Sequence, residues 1–197
     1  GAYVIKIENT KGCDVMRQWP PLNLSQQKNN EAYSENFASV NRNKRSVALN
    51  IKNPSDVSLL KRLVSKATIL IENYRPGVLE KLSLGYDDLK KINNKLIYCS
   101  ISGYGQTGPY SDKGAFDVTV QAISGIMSVT GEKDTSPVKC GVPIGDFCTG
   151  LYASYTIMAM LRRVEQSGEG THIDCSMIGS LLGISALQTS EYFGNNK

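Results

Sequence analysis

Gly145-Asp-Phe-Cys-Thr-Gly150 sets a carboxylate, Asp146, ahead of a long run of helical period. The residue types favour a structural reading first, because Asp is a preferred helix N-cap. A chemical reading is compatible with it. Backbone N–H groups and the dipole at a helix start keep a carboxylate ionised, and a nucleophilic carboxylate must be ionised. Three other stretches could grip a ligand. Asn41-Arg-Asn-Lys-Arg45 is a compact basic cluster; it reads as a solvated turn, or as Lys and Arg on phosphate with Asn adding amide hydrogen bonds. Glu72-Asn-Tyr-Arg-Pro-Gly77 is either a structural turn or a site where Asn73 reads an adenine edge and Tyr74 stacks on it. Gly103-Tyr-Gly-Gln-Thr-Gly108 matches G-x-G-x-x-G. A dinucleotide site would start a helix inside that motif, but Pro109-Tyr-Ser-Asp-Lys-Gly114 follows with turn chemistry. The loop therefore reads as a pocket wall.

The elements that must position these residues alternate in type. Strands are predicted over 3–8, 46–51, 67–72, 96–101 and 171–176, with residues 9–40 mostly loop. Asn53-Pro54 opens a helix whose apolar stripe is Val57, Leu60, Leu63 and Val64. Further helices are predicted over 86–92, from Asp117 to about Met127, from about Phe147 to Glu165, and over 177–193. Leu151, Tyr155, Met158, Ala159 and Arg162 share one face of the helix after Asp146. Strands alternating with helices imply an α/β fold, a mostly parallel sheet with helices on both faces. Ligands of such sheets bind beyond the carboxyl ends of the strands, where Asn73 and Tyr74 fall. The chain enters this pattern midway, as though a strand and helix preceded Tyr3.

The totals narrow the chemistry. The 197 residues suffice for one well-buried domain or two small ones. A net charge of +4, with Lys and Arg interleaved among acids, does not point to nucleic acid but suits an anionic small molecule. No apolar run is long enough to cross a membrane. The five cysteines are odd in number and contain no C-x-x-C pair, which argues against a disulfide framework or metal ribbon and fits a reducing cytoplasm. His172, the one histidine, falls inside a predicted strand and reads as a packing residue. Cys148 reads as a small core residue.

Taken together, the motifs resemble family III CoA-transferases, the CaiB/BaiF type that includes formyl-CoA and carnitine-CoA transferases. The matching stretches are Gly1-Ala-Tyr-Val-Ile-Lys-Ile-Glu8, Asn41-Arg-Asn-Lys-Arg-Ser46, Ile71-Glu-Asn-Tyr-Arg-Pro-Gly77 and Leu84-Gly-Tyr86. They continue through Ile97-Tyr-Cys-Ser-Ile-Ser-Gly-Tyr-Gly-Gln-Thr-Gly-Pro109, Phe116-Asp117, Gln121-Ala122, Ser124-Gly125 and Asp146 to Gly168-Glu-Gly170. The order is the family's, and the likeness is greatest to the branch of succinyl-CoA:dicarboxylate transferases.

The resemblance implies a Rossmann-like large domain, present here in part (1–197), with the family's small domain and C-terminal return beyond Lys197. It implies an enzyme that moves CoA between carboxylic acids, with acyl-CoA and a small acid as substrates and no permanently bound cofactor or metal. Asp146 corresponds to the nucleophile, and the glycine before it would leave room for a thioester. Asp117 corresponds to an acid lining the active site. Asn41 and Lys44 would lie along CoA, Asn73 and Tyr74 would flank its adenine end, and Lys81 would reach a phosphate. Family chains interlock in pairs, so a homodimer, or pairing with a polypeptide supplying the missing half, is expected. Two rival readings remain. A 2-methylacyl-CoA racemase would use a His where Phe116 stands. A non-catalytic CoA-binding remnant or subunit of a split enzyme would keep the binding residues alone.

Overall fold

The computed structural model describes residues 2–20, 22–23 and 33–195. The chain forms two compact units, Gly1–Arg62 and Leu63–Lys197.

In the first unit β1 (Val4–Glu8) is followed by a 3-10 turn (Val15–Gln18), the short antiparallel pair β2 (Leu22–Asn23) and β3 (Tyr33–Ser34), α1 (Glu35–Val40) and β4 (Lys44–Ala48). β1 and β4 pair in parallel, from Val4 opposite Lys44 to Glu8 opposite Ala48. Ser34 starts α1 by accepting the Phe37 N–H at 3.2 Å. The expected loop over 9–40 thus contains a capped helix, while much of its middle lies outside the described residues. Glu8, at the buried end of β1, is surrounded by donors. It accepts Arg17 Nε (2.9 Å) and Nη2 (2.7 Å), Ser46 Oγ (2.7 Å) and the Asp14 N–H (3.1 Å). The Arg17 guanidinium, which also lies 4.0 Å from the Phe37 ring centre, holds the Glu8 carboxyl at a pKa of about 2.

α2 (Pro54–Val64) joins the units, its start fixed by Asn53 Oδ1 accepting the Ser55 N–H at 3.1 Å. The second unit then runs β5 (Ile69–Glu72), α3 (Tyr86–Lys90), β6 (Ile97–Ser102), α4 (Asp117–Ile123), α5 (Ile144–Ser167), β7 (Thr171–Ser176), α6 (Met177–Ile184) and α7 (Ala186–Asn195). Its sheet is parallel in the order β5-β6-β7. Residues 97–100 of β6 are buried on both faces, as a central parallel strand requires. On one face Ile97, Cys99, Ile173 and Cys175 pack against Ala153, Ile157 and Val164 of α5. On the other Tyr86 of α3 meets Tyr98 edge-on and stacks on His172. The α/β reading therefore holds, with parallel strands flanked by helices. His172 touches Tyr86 and Tyr98, and its Nε2 lies 2.9 Å from Ser100 Oγ, but it stays exposed, so the expected packed histidine is met only in its contacts.

Three features differ from the sequence reading, two for local reasons and one through packing on the sheet. The helix from Asp117 stops at Ile123 because Gly125 (φ +83°) turns the chain, which resumes as a 3-10 turn over Ile126–Val129. The apolar tail breaks between α6 and α7, where Ser185 turns its own hydroxyl onto the Leu181 carbonyl at 2.9 Å. The face of α5 named from periodicity is the solvent face: Leu151, Tyr155 and Met158 are exposed, and smaller or β-branched residues, Ala153, Ile157 and Val164, meet the sheet.

Candidate active site

α5 begins earlier than its sequence suggests, and this changes the standing of Asp146. Pro143 occupies the cap position and cannot cap through its side chain, so Ile144, Gly145 and Asp146 are the first three helical residues. Asp146 is therefore inside the first turn and is not the N-cap. The free N–H groups at a helix start must find acceptors. Ile144 donates to the Val142 carbonyl at 2.8 Å. Gly145 donates to Asp117 Oδ1 at 2.7 Å, and Asp146 donates to the same oxygen at 3.4 Å. Asp117, the first residue of α4, thus caps α5 from outside.

Gly145 makes that approach possible. A Cβ there would stand 3.0 Å from Asp117 Oδ1 and 3.4 Å from Met177 Cε. The space freed by this glycine is taken by the cap, contrary to the expectation that a thioester would use it. The second oxygen of Asp117 is held as well: Gln121 Nε2 donates to Oδ2 at 2.6 Å. Sequence reasoning matched Gln121 only as part of a motif and gave it no role, since its partner lies one helical turn away and its second bond reaches residue 140.

Asp117 and Asp146 both line an open cavity of about 700 Å³ in the second unit. Asn73, Tyr74 and Arg75 beyond β5, Ser102 at the end of β6 with Gly103 after it, and Lys113 to Phe116 form much of the rest. This is the carboxyl-end side of the parallel strands, where α/β sheets bind ligands. Arg75 and Lys113 add positive charge that the sequence reading did not assign. Among the described residues no donor reaches the Asp146 carboxylate. Surrounding atoms push its pKa up although the group is exposed, and the Asp117 carboxylate pushes the same way. The helix start was expected to favour the ion; partial desolvation by the surrounding atoms and a like charge oppose it. Glu72 is also pushed up by burial, against hydrogen bonding from Ser100 and from the Tyr74 N–H at 2.8 Å.

Two N–H groups of the glycine loop are held by other residues of the protein. Gly105 donates to Ser102 Oγ at 2.9 Å and Gln106 to Asp174 Oδ2 at 2.8 Å. Turns follow it, and the next helix starts only at Asp117.

The predicted binding residues separate into groups. Asn73 and Tyr74 line the cavity with the two aspartates. Lys81 lies on a 3-10 turn (Glu80–Leu82), exposed and outside the cavity lining. Asn41 and Lys44 belong to the first unit, where Lys44 Nζ donates to Asn41 Oδ1 at 3.2 Å. Desolvation and the neighbouring Lys6 ammonium lower the Lys44 pKa. Among the described residues no group of His, Cys, Asp and Glu could hold a metal, and no helix is long and apolar enough to cross a membrane.

The profile of CoA-transferase family III matches residues 1–197. The succinate–glutarate CoA-transferase of Agrobacterium fabrum is 42% identical over 98% of this chain and 48% of its own length. The mouse (Mus musculus) succinyl-CoA:glutarate CoA-transferase is 44% identical over 91% of this chain and 40% of its own. The crystal structure of a CaiB/BaiF family protein from Brucella suis superposes with a TM-score of 0.94 at 38% identity, covering 100% of this chain and 51% of that one. The chain spans about half the length of these relatives.

Proposed function

The chain belongs to CoA-transferase family III, and we propose that it carries the CoA-binding and acyl-carrying part of an enzyme that moves CoA between two carboxylic acids. The observation that carries this reading is the unpartnered Asp146 carboxylate in the first turn of α5, at the wall of the cavity. An Asp146 oxygen attacks the acyl carbon of the donor thioester. The C–S bond breaks, CoA leaves as thiolate, and a mixed anhydride remains on Asp146. The thiolate then attacks the Asp146 side-chain carbon and expels the donor acid as carboxylate, leaving an aspartyl–CoA thioester. The acceptor carboxylate repeats the two exchanges in reverse, releasing a new acyl-CoA and restoring Asp146. No proton or electron is gained or lost overall. Covalent catalysis suits such chemistry because each step trades one activated acyl bond for another of similar energy. A carboxylate poorly stabilised by its surroundings is the better nucleophile for it.

In this reading Asn73 and Tyr74 flank the adenine end of CoA, Lys81 reaches a phosphate, and Asn41 and Lys44 lie along CoA. The acids exchanged are small dicarboxylates, as the names of the two glutarate transferases suggest. A second copy, or a polypeptide carrying the rest of the family's length, completes the enzyme. The free thiols suit a reducing cytoplasm. The test is to incubate the completed enzyme with acyl-CoA, trap with hydroxylamine or borohydride, and map the labelled peptide by mass spectrometry. Label on Asp146 supports the reading; label on another side chain overturns it.

A further inference from the structure

Gln121 is fully buried in α4, 0% exposed, and both ends of its amide are in use. Its Nε2 donates to Asp117 Oδ2 at 2.6 Å, and its Oε1 accepts the Cys140 N–H at 2.8 Å. A buried amide is costly unless paired, and this one sits beside Val120, which belongs to an apolar cluster with Ile126, Met177 and Leu181. Its polarity is specific. Cys140 offers a proton and Asp117 needs one, so the group between them must accept at one end and donate at the other. Glutamine does so; leucine and an ionised carboxylate do not. The chain of bonds continues from Asp117 Oδ1 to the N–H groups of Gly145 and Asp146. Glu72, Arg75 and Lys113 share the cavity wall, and among the described residues none of them bonds to Asp117 or Gln121.

We propose that Gln121 is a positioning residue for the acyl exchange: it locks Asp117 in the orientation that fastens the start of α5, and so fixes where the Asp146 carboxylate stands. This rests on the reading of Asp146 as the nucleophile. It differs from a packing role in its consequences, because placement of the attacking oxygen affects the chemical step more than the binding of CoA.

The test compares Gln121→Leu and Gln121→Glu with wild type in the completed enzyme, using succinyl-CoA and glutarate as probes. In Gln121→Leu, kcat falls by roughly 10–100-fold while KM for the acyl-CoA stays within about 3-fold. Gln121→Glu is as slow at neutral pH. Its activity relative to wild type at the same pH rises on acidification, because the introduced carboxyl, once protonated, can both donate and accept. The leucine variant shows no such rise. Unchanged kcat, a loss confined to KM, or a flat ratio for the glutamate variant overturns the proposal. If the leucine variant does not fold, the glutamate ratio decides alone. A second readout does not need turnover: the Asp146 carboxyl is titrated by 13C NMR. Its midpoint moves down in Gln121→Leu, as the Asp117 charge swings away from the start of α5; an unmoved midpoint overturns the proposal. If wild type exchanges no CoA, the proposed function fails, and this titration still decides the role of Gln121.

Discussion

Two carboxylates show how the same functional group is put to opposite uses. Glu8, in the first unit, is 5% exposed and accepts four hydrogen bonds, from Arg17, Ser46 and Asp14. Asp146, in the second, is exposed, accepts none among the described residues, and has a second carboxylate, Asp117, beside its own N–H. One pKa is held at about 2 and the other is pushed up. A carboxylate whose lone pairs are all committed is structural, since attacking anything would cost its bonds. One left without donors at a cavity wall has its electrons available. Asp117 falls between the two: it lines the cavity, yet both of its oxygens hold protein.

The largest expected effect separates these carboxylates by function. Asp146→Asn and Asp146→Ala should each lower CoA exchange by at least about 1,000-fold. Because Asp146 is not the cap, both should melt within about 0.5 kcal/mol of wild type. Substantial exchange in the Asn variant would erase the distinction. Asp117→Ala should lower exchange by roughly 10–100-fold and also cost about 1–3 kcal/mol in denaturant unfolding, by stripping the α5 cap and stranding the Gln121 amide. A loss of stability with full activity would make Asp117 a cap alone.

Glu8→Gln should cost roughly 1.5–3 kcal/mol of stability through its charge-assisted bonds, without the covalent intermediate being lost. Its pH dependence has a definite sign. The folded pKa lies below the unfolded value of 4.5, so the stabilisation is present above 4.5 and lost as pH falls through about 2. Acid unfolding of the wild type should show this loss and the Gln variant should not. Asp146 and Glu72 run the other way: their raised values favour the fold below the unfolded pKa, an advantage lost as pH rises through the folded one. The smallest effect is expected at Gly145→Ala. The new Cβ presses on Asp117, while helix propensity improves by up to about 1 kcal/mol. Exchange should slow several-fold with little change in melting; unchanged exchange would show that Asp117 can yield without cost.

Local signals were legible where local physics decides. β7 spans Thr171–Ser176 as its alternation predicts, and Asn53 caps α2 as its type predicts. Periodicity revealed that α5 has a stripe of Leu151, Tyr155 and Met158, but a period does not say which face a sheet covers. The start of α5 was misjudged because its acceptor, Asp117, comes from another helix, and no local pattern encodes such a cap. The same distance hid Gln121, Arg75 and Lys113. Asp146 and Asp117 were named together only through the resemblance.

The length of α5 has a mechanical consequence. Its 24 residues make a rod of about 36 Å, ended by Gly168 in a left-handed turn (φ +73°) that leads directly into β7. Tilting such a rod by one degree about its far end displaces the first turn by roughly 0.6 Å, which already exceeds the positional tolerance of a reacting group. Packing along the middle of a helix resists sliding better than it resists tilt. The Asp117 clamp acts at the tip, where the lever arm is longest, and it is there that a single pair of bonds gives the greatest angular stiffness.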